Sequence, residues 1–258
     1  MPSSPPSIAE LRAVVQPPAL VGRRSAEHWA GRLYMRQISL HVTRRAIGLP
    51  ITPNGWTVIM IVVGVAGAAL LAVPGLATAV GAALAVQVYL LLDCVDGEVA
   101  RWRRTTSAAG VYLDRLGHYV VEAALLIALG VRVDGGPAAI AGATTLGLLA
   151  AVLALLSKAE SDLVMVARAS GGLPTAGELE ATSRVSTLRD VRRLFAVVPV
   201  HRILGAVELS LLAVVAAAVD LVTGSDAGSR ALLVAAVAIG AVVAVGHPIM
   251  ILTSKRLQ

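Results

Sequence analysis

Six uninterrupted apolar runs decide what this chain can be: Gly55–Val73, Leu76–Asp96, Ala108–Val131, Pro137–Val166, Phe195–Val222 and Ala231–Leu252. A helix of about 20 residues crosses the hydrocarbon of a bilayer, and the runs match that length. The fourth and fifth exceed it, so their ends are expected to project into water. The runs are continuous rather than alternating, which argues against the strands of a barrel. Ala, Leu, Val and Gly fill them. Small residues at steps of four, with Ala143 and Gly147 beside Gly142 and Leu146, let helices pack closely. The expected fold class is all-α integral membrane, with six transmembrane helices preceded by a cytoplasmic juxtamembrane amphipathic helix.

Composition narrows the function classes. Hydrophobic residues are 57% of the 258 and charged residues only 15%, with a mean hydropathy of +0.78. A soluble surface needs about a quarter of its residues charged. A disordered chain, a collagen-like chain and an ordinary cytosolic enzyme are thereby excluded. The single cysteine, Cys94, excludes a disulfide scaffold and a cysteine-rich zinc site. With 3% aromatics there is no stacking platform for single strands. No nucleic-acid partner is expected, and the formal charge of +6 is read as basic loops.

Those basic residues orient the chain. Seven precede the first run, from Arg12 to Arg45. Arg101, Arg103 and Arg104 follow the second. Six lie at or after the end of the fourth, from Lys158 to Arg193, and Lys255 and Arg256 end the chain. Eighteen of 22 thus lie on one side, against Arg132 and Arg230 on the other, with Arg115 and Arg202 inside runs. Both termini are expected in the cytoplasm. Twenty Arg against two Lys, with abundant Ala and Val, point to a GC-rich bacterial genome and hence a bacterial cytoplasmic membrane.

The first residues have no apolar core or early basic cluster of a signal peptide. Residues 1–24 are read as a disordered tail, 25–48 as the juxtamembrane helix and 49–254 as the six-helix domain. In the juxtamembrane segment Trp29, Leu33, Leu40 and Ile47 fall on one stripe, with Arg32, Arg36, Arg44 and Arg45 off it. That pattern suits an interfacial helix with its Arg toward anionic lipids. Met35, Ile38 and Val42 blur the stripe, so a helix packed on protein fits equally. Leu49-Pro50-Ile51-Thr52-Pro53 ends it.

The chemistry lies in the second and third runs. Asp93 and Asp96 stand at i and i+3 and share a face. Gly97 leaves room for a ligand against the backbone. Ala100 and Arg101 follow, Gly110 opens the third run, and Asp114, His118 and Glu122 continue at steps of four. Carboxylates at membrane depth are costly and usually functional. Three facing one another repel unless a cation sits between them, and oxygen ligands suit Mg²⁺ or Mn²⁺. Nearby Arg suits a substrate carrying a pyrophosphate and a lipid tail.

Asp93-x-x-Asp96-Gly97-x-x-Ala100-Arg101, then eight residues, Gly110, three residues and Asp114, resembles the motif of the CDP-alcohol phosphotransferases. Thr52-Pro53-Asn54-x-x-Thr57 is similar to the pattern that the family shows before its first span. The resemblance implies six transmembrane helices with cytoplasmic termini. It implies transfer of a substituted phosphate from a CDP-linked alcohol to an acceptor hydroxyl, with release of CMP. It assigns Asp93, Asp96 and Asp114 to one or two divalent ions and Gly97, Ala100, Arg101 and Gly110 to the CDP donor. Homodimers occur in the family.

One position departs from the pattern. Where the family has a further Asp, thought to be both metal ligand and general base, this chain has His118. Three readings stay open. His118 is the base, its near-neutral pKa suiting proton acceptance, with Glu122 holding the other ring nitrogen. Alternatively it is a metal ligand that shifts preference toward a transition metal. In the third reading the site has lost its chemistry and binds without turnover.

For the acceptor, a phosphorylated polyol wants a basic pocket, and Lys158, Arg189, Arg192, Arg193 and Arg202 supply one. Ser157-Lys158-Ala159-Glu160 resembles a stretch of the bacterial phosphatidylinositol-phosphate synthases. The expected donor is CDP-diacylglycerol and the expected acceptor inositol phosphate or glycerol phosphate. A soluble CDP-alcohol with a lipid acceptor is the alternative. Asp134, Asp220 and Asp226 are read as solvated loop residues.

Overall fold

The computed structural model describes residues 6–17, 29–173 and 204–253, and among them there is helix but no strand. Helix α1 is Ile8–Val15. Helix α2 is Arg36–Ala46, entered through a π-helical turn at Gly31–Met35. Then come α3 (Pro53–Leu71), α4 (Leu76–Arg103), α5 (Ala108–Val133), α6 (Gly142–Ser170), α7 (Ala206–Thr223) and α8 (Ala227–Leu252). The six from α3 to α8 are long and apolar enough to cross a membrane, as the apolar runs predict. The chain is a multi-pass membrane protein.

The boundaries differ from the apolar runs for physical reasons. Helix α4 continues seven residues past Asp96 because the polar side chains of its last turns have protein partners. Glu98 accepts from the Ser39 and Thr43 hydroxyls, both at 2.7 Å. Arg103 donates to the carbonyls of Ile47, Leu49 and Ile51, placing a cation on the C-terminal end of α2. Helix α6 starts five residues after Pro137, since Gly135 and Gly136 form a turn with φ of +104° and +112°. The start of the fifth run, residues 195–203, lies outside the described residues.

The reading of residues 1–24 as a disordered tail is corrected at Ile8–Val15. The Ser7 hydroxyl accepts from the Glu10 N–H and the Glu10 carboxylate accepts from the Ser7 N–H, a capping box. The carboxylate is held below its usual range by these bonds. Leu11 and Val15 are buried with Leu40, with Ile8, Ile47 and Trp102 packed around them. This apolar burial is what makes eight residues helical, since an isolated helix of that length is unstable. The inner face of α2 holds Ser39, Leu40, Thr43 and Ala46, so this helix packs on protein through a partly polar face. Leu33, expected on the apolar stripe, is 67% exposed.

The chain forms two compact units: Met1–Ala68 with Gly81–Val121, and Ala69–Val80 with Glu122–Gln258. In the first, α5 comes close to α3. A Cβ at Gly117 would stand 2.8 Å from the Ile61 side chain. In the second, α8 packs against α6 and α7, and α5 meets α6 backbone to backbone. A Cβ at Gly147 would lie 2.7 Å from the Leu126 carbonyl oxygen, as the small-residue spacing predicts.

Of the three acids read as solvated loop residues, Asp134 and Asp220 are corrected here, Asp220 standing in the last turn of α7, while Asp226 is exposed as expected. Asp134 accepts from the N–H groups of Ala141, Ala143 and Thr144 and from the Thr144 hydroxyl. It therefore caps α6, and these bonds hold its carboxyl down at about 2. Asp220 caps α8 in the same way, through Gly228, Ser229 and the Ser229 hydroxyl. Asp226 pairs with Arg230 at 2.6 Å. Beside them, buried Arg132 donates to Ser229 Oγ and to the Val73 and Gly75 carbonyls.

Candidate active site

Short-range rules build the framework of the site. Thr52 Oγ1 accepts from the Gly55 N–H at 3.0 Å and caps α3, with Pro53 as its first residue. Thr57 lies one turn in. On α4, Tyr89, Asp93, Asp96 with Gly97, and Ala100 with Arg101 recur at helical spacing on one face. The helix ends with Arg104 in the left-handed region at φ +54°. Thr105 N–H bonds Ala100 O and Arg104 N–H bonds Arg101 O, a Schellman arrangement. Ser107 Oγ then caps α5 by accepting from Gly110 N–H at 3.1 Å. This tight turn brings Asp114 and His118 back beside Asp93.

His118 Nε2 lies 3.1 Å from Asp93 Oδ1 and 3.5 Å from Asp114 Oδ1. Its Nδ1 is hydrogen-bonded to the Tyr89 hydroxyl, and the two rings meet edge to face. Tyr89 thus occupies the place that the sequence reading gives to Glu122. Glu122 instead forms an ion pair with Lys158, 3.0 Å apart.

Asp96 is 7% exposed, and its Oδ2 accepts from the Thr57 hydroxyl at 2.6 Å. It borders, with Asp93 and Asp114, a cavity of about 280 Å³. Gly97, Ala100, Arg101 and Gly110 line the same cavity, as does Arg36 of α2. A Cβ at Gly97 would lie 3.1 and 3.4 Å from the two terminal nitrogens of Arg101, so the guanidinium lies over that glycine. At Gly110 a Cβ would stand 3.3 Å from Asn54 Oδ1. Both glycines therefore keep the backbone close to polar groups at the cavity wall.

The residues fit a divalent cation. One ligand atom each from Asp93, Asp114 and His118 can be chosen so that all three lie within 4.8 Å of one another. Asp114 Oδ1 is buried and has no hydrogen-bond partner among the described residues. Two carboxylates and an imidazole form a donor set for a divalent ion of borderline character. Asp96 shares the cavity but stands outside this trio, its carboxylate engaged by Thr57.

Lys158 and Glu122 lie in the second unit. There Glu160 Oε2 also meets His247 Nδ1 at 3.1 Å. The other four acceptor candidates, Arg189, Arg192, Arg193 and Arg202, lie outside the described residues. Sequence reasoning missed three residues of the site. Tyr89 had a signal, standing four residues before Asp93. Thr57 shows in the sequence only as part of the pattern before the first span, and Arg36 only as one of the basic residues off the apolar stripe.

A long-helix membrane protein with carboxylates gathered around a helix–turn–helix is the class that fold and site define. The family model for CDP-alcohol phosphatidyltransferase matches residues 50–253, and the chain belongs to that family. The family is one of phosphotransferases that move a phosphate from a CDP-alcohol to an acceptor in lipid synthesis, with a divalent metal. No protein of curated function matches the chain.

Proposed function

We propose that this enzyme transfers the phosphatidyl group of CDP-diacylglycerol to a polyol phosphate, inositol phosphate or glycerol phosphate, and releases CMP. The observation that carries this reading is the cavity where the three motif aspartates meet Arg36 and Arg101. A nucleotide pyrophosphate needs cationic partners and a metal beside them. Asp93, Asp96 and Asp114 would hold Mg²⁺ or Mn²⁺, with His118 in reach of the same position. Such an ion neutralises charge developing on a leaving phosphate. Gly97 and Gly110 let the nucleotide approach the backbone, Ala100 keeps the wall low, and Arg101 contacts a donor phosphate.

His118 is the base in this reading. The Tyr89 hydroxyl can accept from Nδ1–H; Nε2, which faces the Asp93 and Asp114 carboxylates, takes the acceptor's proton in the neutral tautomer that carries no proton there. Asp93, 3.1 Å away, stands where the imidazolium charge develops. A second reading has a specific observation behind it. Nε2 sits among the carboxylate oxygens and Nδ1 is tied to an outer hydroxyl, as in a ligating imidazole. There His118 is a metal ligand and activity leans toward Mn²⁺.

Lys158, with Arg189, Arg192, Arg193 and Arg202, binds the acceptor phosphate. The enzyme works in a bacterial cytoplasmic membrane with termini and active site facing the cytoplasm, in contact with anionic lipids and as a homodimer. The test is CMP release by purified protein with CDP-diacylglycerol and Mg²⁺ or Mn²⁺ across polyols and polyol phosphates. Release that depends on one polyol phosphate supports the reading. Release only from a soluble CDP-alcohol with a lipid acceptor replaces it.

A further inference from the structure

Gln16, just past the end of α1, reaches across to α2 and α4 within the first unit. Its Nε2 donates to Glu98 Oε1 at 2.7 Å and to the Arg36 carbonyl at 2.8 Å. Glu98 has no solvent exposure and sits directly after the Asp96-Gly97 pair. A buried carboxylate is tolerated only when its oxygens are satisfied. Here Ser39, Thr43 and Gln16 supply three donors, and Arg36 NH1 stands 3.9 Å away. One residue earlier, the Val15 carbonyl accepts from Arg101 Nε at 2.7 Å. The last turn of α1 therefore holds both basic residues of the cavity, Arg101 through its side chain and Arg36 through its backbone.

We infer that α1 is a positioning element of the donor site: Val15 and Gln16 fix Arg101 and Arg36 toward a nucleotide pyrophosphate in the cavity. The inference rests on the proposed CDP donor. Arg101 has several rotatable bonds, and a phosphate contact from a loose guanidinium costs side-chain entropy on binding. Tying Nε to a carbonyl removes that freedom beforehand and leaves the terminal nitrogens over Gly97, at the cavity wall. The bond also caps the C-terminal end of α1, a favourable place for a cation.

Three variants test this, with CDP itself as the probe. Gln16→Ala removes the clip but leaves Ser39 and Thr43 on Glu98. Gln16→Glu sets a carboxylate against Glu98. Leu11→Asp dislodges α1 from Leu40 and Trp102. Each is assayed for CDP binding with Mg²⁺ and for the KM of each substrate, beside thermal unfolding in detergent. Gln16→Ala weakens CDP binding about fivefold or more and raises donor KM in step, with acceptor KM and kcat within twofold. Gln16→Glu and Leu11→Asp weaken it further. Folded variants that bind CDP as wild type does overturn the inference alone. A wild-type protein that binds no CDP overturns the donor reading, and the inference with it.

Discussion

His118 faces Asp93 across the turn between α4 and α5, with Nε2 3.1 Å from Oδ1, while Tyr89, one turn before Asp93 on the same helix, holds the other ring nitrogen. Two groups one turn apart on α4 therefore grip both edges of the imidazole. A side chain held this way has a fixed orientation, which general-base chemistry and metal ligation both require.

Replacing His118 separates those roles. His118→Ala is expected to lower CMP release by about 10²-fold or more, the usual worth of a positioned base. His118→Asp restores the family's residue and retains or raises the rate. Tyr89→Phe keeps the ring packing, loses the hydroxyl and costs about 10-fold, as loss of an outer orienting group does. Rates measured with Mg²⁺ and Mn²⁺ decide between base and ligand. A base leaves the metal preference of His118→Asp unchanged, and a ligand moves it toward Mg²⁺. An unchanged rate in His118→Ala removes the residue from the mechanism.

Lys158 and Glu122 form an ion pair in the second unit. If Lys158 receives the acceptor phosphate, Lys158→Ala raises acceptor KM about 10-fold, the cost of one charge-assisted hydrogen bond, and leaves donor KM alone. Glu122→Gln removes this ion pair and leaves acceptor KM equal or lower. Steady-state kinetics in both substrates checks this. Equal rises in both KM values for Lys158→Ala would assign the pair to folding.

Acid stability has an identifiable contributor in Asp134. Its carboxyl titrates at about 2 in the folded protein, below the unfolded value near 3.9. A depressed folded pKa stabilises the protein above the unfolded value. That contribution declines as pH falls below about 4 and is gone once pH drops past about 2. Asp134→Asn is expected to lower thermal stability at neutral pH and to flatten its decline in acid. Melting curves in detergent between pH 2 and pH 7 check the sign. Parallel wild-type and variant curves would contradict the cap.

Much of this architecture is legible in the sequence, because its signals are local. Apolar runs define α3 to α8, and the spacing from Asp93 to Asp114 places both on faces that one tight turn can bring together. Signals that need a partner from elsewhere are not legible this way. Helix α1 lies between proline-rich stretches, and only Ser7-x-x-Glu10 announces it. Its stability comes from Leu40 and Trp102, far along the chain. Asp134 and Asp220 look like loop acids until the helix starts they cap are seen. Glu122 sits one turn past His118 on α5, as the spacing said, yet its carboxylate pairs with Lys158. Helical spacing fixes a face, and tertiary packing chooses among the partners available to it.

Asp96 offers the most direct measurement of the central claim. It is nearly buried, bordering the cavity and bonded to Thr57, and the account makes it a holder of the ion that the donor pyrophosphate needs. Asp96→Asn keeps the side-chain shape and a hydrogen bond to Thr57, so the fold should survive. The measurement is CMP release from CDP-diacylglycerol together with Mg²⁺-dependent CDP binding, in wild type and Asp96→Asn side by side. The account predicts that the variant remains folded and loses both together. Wild-type turnover by Asp96→Asn would contradict it.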